Sequence, residues 1–177
     1  MFSGLNNYTL LAIPFFIISG TIASRGKTSE YLTRVTSIIF GRIKGGDIIA
    51  TIASCAFFAA ISGSSVATIV AGGSIMVPSL IRNDYPESLA IGTVTSGGSI
   101  GILIPPSAPM IALCVALNCS VGQMFIAGVI PGVLLAVVWA LYAYVVCKKN
   151  NYGKYEAIPA KEAWKIVGKA IPAIIYP

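Results

Sequence analysis

The chain has 177 residues, 56% of them hydrophobic and only 10% charged, with a mean hydropathy of +0.84. An average soluble domain carries about 25% charged residues, so this composition excludes an ordinary soluble globule and defines an integral membrane protein. The net charge of +6 is divided among three polar segments, Arg25–Asp47 at +3, Arg82–Glu87 at −1 and Lys148–Lys169 at +4, and short basic loops between apolar runs express membrane topology rather than nucleic-acid affinity.

Leu5–Ala23 is apolar over roughly 28 Å of helix, enough for a first span. Its start lacks the basic segment and small-residue cleavage site of a signal peptide. Thr28–Phe40 places Tyr31, Leu32, Val35, Ile38 and Ile39 on one stripe, with Arg34 and Arg42 off it. This predicts an amphipathic arm on the membrane interface, ended by Gly45–Gly46, so that residues 1–47 form one unit.

Ile48–Ile81 contains no charged side chain, yet its middle reads Ile61-Ser62-Gly63-Ser64-Ser65. The halves Ile48–Ile61 and Val66–Ile81 are roughly 21 and 24 Å as helices, each short of the roughly 30 Å hydrocarbon core, whereas one continuous helix of roughly 51 Å is far too long. The segment predicts a re-entrant helical hairpin over 48–81 with its tip at Ser62–Ser65. Topology agrees, because a hairpin that returns to its own side leaves both basic loops on one face of the membrane.

A second uncharged run, Ser88–Cys147, is interrupted at Ser96-Gly97-Gly98-Ser99-Ile100-Gly101 and again at Ile104-Pro105-Pro106-Ser107. Pro105, Pro106 and Pro109 remove amide donors, which predicts a discontinuous helix over 88–117 whose halves face a short extended stretch. Residues 124–147 then form a long spanning helix, with Trp139, Tyr142 and Tyr144 as an interfacial belt toward its basic end. Residues 148–177 are expected to hold a basic loop, an amphipathic arm at Lys161–Lys169, and at Ile171–Ile175 the opening of a further span that the chain does not complete. The fold class is therefore all-α, with spanning helices around a re-entrant hairpin and a broken helix.

Irregular backbone at membrane depth survives only where protein or a polar cavity covers it, and such breaks are where transporters bind ions and substrates. Ser62–Ser65 and Thr93–Gly101 offer hydroxyls and glycine-exposed carbonyls, with no carboxylate, histidine or lysine inside either run. Hard oxygen ligands with little formal charge suit Na⁺ better than Ca²⁺ or Zn²⁺. Half-helix N-termini near Val66 and Ser107 would present free amides to an anionic substrate. The competing reading is close helix packing, to which Gly97-xxx-Gly101 and Gly128-xxx-Gly132 also lend themselves. A serine nucleophile has no His or Lys nearby as base, the glycines lack dinucleotide-fingerprint spacing, and Cys55, Cys114, Cys119 and Cys147 lack a CxxC spacing. No catalytic residue, cofactor or metal site beyond Na⁺ is expected, and the chain is read as a non-enzyme. A Na⁺-coupled carrier, a passive pore with a glycine-serine filter, and a noncatalytic assembly piece all remain open on these residues.

Leu11-Ala12-Ile13-Pro14-Phe15-Phe16 followed by Gly20, Ala60-Ile61-Ser62-Gly63-Ser64-Ser65-Val66-Ala67, Ile104-Pro105-Pro106-Ser107-Ala108-Pro109-Met110 and Phe125-Ile126-Ala127-Gly128-Val129-Ile130-Pro131-Gly132 occur in an order that resembles the DctM-like large membrane (permease) subunit of TRAP transporters. The resemblance implies an elevator-type importer in the bacterial cytoplasmic (inner) membrane, multi-pass. It would take an organic acid such as a C4-dicarboxylate or a sialic acid from a periplasmic binding protein and move it with Na⁺, beside a small four-helix membrane subunit. Residues 48–147 would be one half of the transport domain. Carried over by position, the resemblance implies Na⁺ ligands at Ser62, Gly63, Ser64 and Ser65 of the tip and at Thr95, Ser96, Gly98, Ser99 and Gly101 of the broken helix, largely through main-chain carbonyls. It implies that Val66, Pro105, Pro106 and Ser107 face substrate. The chain departs from the family at Thr68, where an acidic residue often stands, and it stops before the family's second, inverted half.

Overall fold

The computed structural model describes residues 8–25, 28–41, 43 and 45–153. The expected arm at Lys161–Lys169 and the opening span at Ile171–Ile175 lie outside the described residues. One 3₁₀ turn, Tyr8–Leu11, leads into α1 (Ala12–Arg25), followed by α2 (Thr28–Phe40), α3 (Gly46–Ser62), α4 (Ser65–Arg82) and α5 (Glu87–Ser99). A second 3₁₀ turn at Ile100–Ile102 precedes α6 (Ala108–Leu117), and α7 (Val121–Asn150) is the longest helix. Among the described residues there is no strand, and the protein is an all-α membrane protein.

Each boundary has a local cause. Gly45, in the left-handed region at φ 77°, precedes α3, and Asp47 in its first turn complements the helix dipole. Gly63 at φ 59° ends α3 and donates its N–H to the Ala59 carbonyl, the left-handed cap that glycine adopts without a Cβ penalty. Ser64 is extended, and its hydroxyl accepts from the Ala67 N–H to start α4. The hairpin therefore turns in two residues. At the other end of the chain, α7 closes on a left-handed Asn151, with Lys148 and Lys149 in its last turn.

α3 is the hub. It packs against α1, α2, α4, α5 and α7, and its Ile48 and Ile52 join Leu80, Tyr85, Ala90, Ile100, Ala143 and Cys147 in one buried cluster. Outside that cluster, large apolar side chains such as Phe15, Val66, Ile126 and Ile130 are exposed, as expected of surfaces that meet lipid or further protein. α4 and α7 are each long and apolar enough to cross a membrane.

The structure changes two expectations. First, α3 and α4 have 17 and 18 residues, roughly 26 and 27 Å, so each arm is longer than the uncharged run alone suggested. The sequence argument counted only apolar residues, whereas Asp47 and Arg82 also lie within the helices. Topology is unaffected, because two full crossings return the chain to the same side just as a re-entrant hairpin does. Second, Ser96–Ser99 is helical, and irregular backbone begins only after it. The Pro105–Pro106 peptide is cis, and of the stretch between the half-helices the residue that caps α6, Ser107, is extended. α2 also touches α3 off its apolar stripe, where Thr36 Oγ1 lies 2.5 Å from Ser54 Oγ with both residues buried, while Ile39 of the stripe is exposed.

Candidate functional site

The hairpin tip and the broken helix meet. A Cβ added to Gly63 would strike the Pro106 carbonyl and stand 3.6 Å from the Ser107 Cα. From the other side α1 closes over the tip, since a Cβ on Gly20 would come 2.7 Å from the Ser62 Cα and 2.8 Å from the Ser62 carbonyl oxygen. Gly63 therefore has two reasons to be glycine: a positive φ and a neighbouring backbone. Gly101 brings the end of the first half-helix to the same place, its virtual Cβ lying 3.4 Å from the Ser65 Cα.

Three helix ends converge here. α3 presents its C-terminal carbonyls, while α4 and α6 present their N-terminal amides through Ser64 and Ser107. The first attracts a cation and the other two attract an anion. Neither 48–81 nor 88–147 contains a charged side chain, so these partial charges dominate the local field. Among the described residues no cluster of His, Cys, Asp or Glu could hold a metal ion.

The hydroxyls divide into those already used and those still free. Ser62 Oγ sits 3.1 Å from Thr68 Oγ1, which donates to the Ser64 carbonyl at 2.8 Å, and the Ser64 N–H donates to Ser62 Oγ at 3.3 Å. This chain of bonds folds the tip on itself. Thr68 is fully buried and ties the first turn of α4 to the tip through the Ser62 hydroxyl and the Ser64 carbonyl. By contrast, Ser65 Oγ and Ser107 Oγ are buried with no hydrogen-bond partner. Buried hydroxyls are ordinarily satisfied, so two orphans beside one junction mark it.

The residues singled out from sequence therefore separate. The structure brings together Ser62, Gly63, Ser64 and Ser65 with Gly101, Pro106 and Ser107, and a Cβ added to Gly98 would strike Ile69 and stand 3.4 Å from the Ser65 carbonyl oxygen. Pro105 adjoins the junction through its cis bond to Pro106. Thr95 and Ser99 are exposed, with hydroxyls turned back to the Ile91 and Ser96 carbonyls of their own helix. Ser96 lines a separate cavity with Trp139, and Val66 is 71% exposed. Ser96–Ser99 is the last turn of α5, and the Ile100 N–H donates to the Gly97 and Gly98 carbonyls there. Two participants were not assigned a role from sequence. Thr68 could have been found from its i+4 spacing to Ser64, which lets a helical threonine bond that carbonyl. The contact of Gly20 with the tip had no local signal.

Gly128 and Gly132 settle on packing. Their virtual Cβ positions fall 2.7 Å from the Leu103 carbonyl oxygen and 3.0 Å from Ile104 Cγ1, so α7 lies close against the break.

The architecture is thus that of an all-helical membrane protein in which a short-tipped hairpin abuts a discontinuous helix. The family model described as "Tripartite ATP-independent periplasmic transporter, DctM component" matches residues 1–177. The chain is 43% identical over 171 residues to the C4-dicarboxylate TRAP transporter large permease protein DctM of Pseudomonas aeruginosa, covering 97% of this chain and 40% of that protein. It is 41% identical over 164 residues to the protein of the same name in Vibrio cholerae, covering 93% and 36%. It is 37% identical over 151 residues to the ectoine/5-hydroxyectoine TRAP transporter large permease protein UehC of Ruegeria pomeroyi, covering 85% and 35%. The chain belongs to the DctM component family of TRAP transporters. It spans about two-fifths of the length of these relatives.

Proposed function

We propose that this chain forms the first hairpin and broken-helix half of a TRAP permease that imports an organic acid with Na⁺ by an elevator motion, in the bacterial cytoplasmic membrane. The observation that carries the reading is the junction of Gly63 with Pro106 and Ser107, flanked by the orphan hydroxyls of Ser65 and Ser107. In this reading the α3 carbonyls and the Ser65 hydroxyl coordinate Na⁺. Ser107 and the amides of α4 and α6 hold a carboxylate, with Pro105, Pro106 and Val66 shaping its approach. Neutral oxygens bind a monovalent ion weakly enough to release it, and dipole ends attract an anion without a buried arginine.

The relatives' names support a carboxylate-bearing solute, since two carry C4-dicarboxylate and one ectoine. The same reading assigns a periplasmic binding protein and a small membrane subunit as partners, and substrate choice is shared with the former. The test is uptake of labelled C4-dicarboxylates and sialic acid into proteoliposomes holding the whole permease and its small subunit. Uptake should require both an inward Na⁺ gradient and the binding protein. Flux that ignores both would replace the carrier by a pore.

A further inference from the structure

Between α3 and α7 lies an apolar groove of about 580 Å³. Phe40, Ile49 and Tyr144 lie at its basal end, and Ala60, Ile104 and Val133 at the end toward the tip. From Ile49 to Ala60 the groove follows α3 for roughly 17 Å, which suits an extended acyl chain rather than a compact solute. Its lining offers almost no polar atom, so a dicarboxylate gains nothing there.

The two ends differ in charge. Tyr144 closes the basal end, and one turn further along α7 Lys148 places its Nζ 5.7 Å from the centroid of that ring, followed by Lys149; both lysines are exposed. The tip end lies within the charge-free runs. An apolar slot of chain length that opens under two lysines complements a molecule with a hydrocarbon tail and an anionic head. The basal end also carries the basic loops and so faces the cytoplasmic leaflet, where anionic lipids concentrate.

We infer that this groove is a binding site for one anionic phospholipid of the cytoplasmic leaflet, with an acyl chain between α3 and α7 and its phosphate held by Lys148 and Lys149. The inference stands apart from the carrier reading, since it uses none of the tip residues. Occupancy would brace the hairpin arm against α7 from the lipid side.

The test uses the whole permease purified with its small subunit and challenged with phosphatidylglycerol or phosphatidylethanolamine of identical acyl chains, with retained lipid read by native mass spectrometry. Phosphatidylglycerol should be retained about thirtyfold more strongly, the preference expected of two lysines at a membrane surface. Lys148→Gln with Lys149→Gln should bring the two lipids to parity, whereas Ala56→Phe should reduce retention of both by filling the slot. If Ala56→Phe does not fold, Ala140→Phe fills it from α7. A benzophenone amino acid at Phe57 should give a lipid adduct on illumination. Equal retention of the two lipids by the unaltered protein, retention untouched by the filling variants, or a Phe57 adduct to another protein helix would each overturn the site.

Discussion

At its base the α3–α4 hairpin is tied by charged and phenolic side chains, and at its tip by backbone and hydroxyls alone. The Asn83 side-chain amide donates to the Asp47 carboxylate at 2.9 Å, bridging the start of α3 to the end of α4. Tyr85, only 4% exposed, packs beside them and against Gly153 after α7, and Cys147 fills the space next to Gly45. Asn83 and Asp47 are paired with each other, and Tyr85 and Cys147 belong to the main buried cluster. The tip has close backbone approaches and two unspent hydroxyls instead. Satisfied polar groups stabilise a fold, and unsatisfied ones tax it by about 1–3 kcal/mol each. The base is tied by satisfied groups, while the tip leaves two hydroxyls unspent, so substitutions at the two ends should fail in different assays.

The sharpest break is Gly63→Leu. A side chain there must adopt a left-handed conformation and displace the Pro106 carbonyl, a strain of about 3 kcal/mol that corresponds to roughly a hundredfold loss of uptake. Uptake assayed in proteoliposomes should fall to background while the protein still inserts. Gly20→Leu attacks the same tip from α1, through the Ser62 Cα and carbonyl. Its effect should be smaller, about tenfold, because α1 can shift as a body. Normal Na⁺-driven uptake by both variants would remove the tip from the mechanism.

Much of this contrast was legible in the sequence. Ser62-Gly63-Ser64-Ser65 inside a charge-free run announced the turn, because a helix cannot continue through it at acceptable length, and Pro105–Pro106 announced the break by removing amide donors. Ser96-Gly97-Gly98-Ser99 misled, because glycine's low helix propensity was read without its neighbours. Cys55 and Ile69 press against Gly97 and Gly98, so tertiary contact keeps the stretch helical. The division of hydroxyls into spent and unspent was out of reach, because it depends on which side of each helix meets a partner.

Asn83→Ala moves to the base. It deprives the half-buried Asp47 carboxylate of a donor and should lower stability by about 1–2 kcal/mol, read as a fall of a few degrees in the unfolding temperature. The Na⁺ concentration for half-maximal uptake should stay unchanged. Tyr85 gives the base a pH signature. Burial, reinforced by the nearby Asp47 charge and by Cys147, raises its pKa above the ordinary phenol value, so the folded state keeps a proton that the unfolded chain gives up above pH about 10. The stability that depends on the neutral phenol is intact below that pH and is lost as pH rises past it. Tyr85→Phe should therefore flatten the alkaline decline of the unfolding temperature.

The smallest change on stability is the most discriminating. Ser107→Ala removes a fully buried hydroxyl that has no partner, so it leaves no donor or acceptor stranded. The folded protein should be unchanged or slightly more stable, within about 1 kcal/mol. If that hydroxyl is spent on a bound carboxylate, its loss should raise the substrate concentration for half-maximal uptake by roughly 3- to 10-fold, the worth of one hydrogen bond. Opposite signs on stability and affinity distinguish a group kept for binding from one kept for packing. Destabilisation with unaltered uptake would instead place Ser107 with the caps, as nothing more than the start of α6.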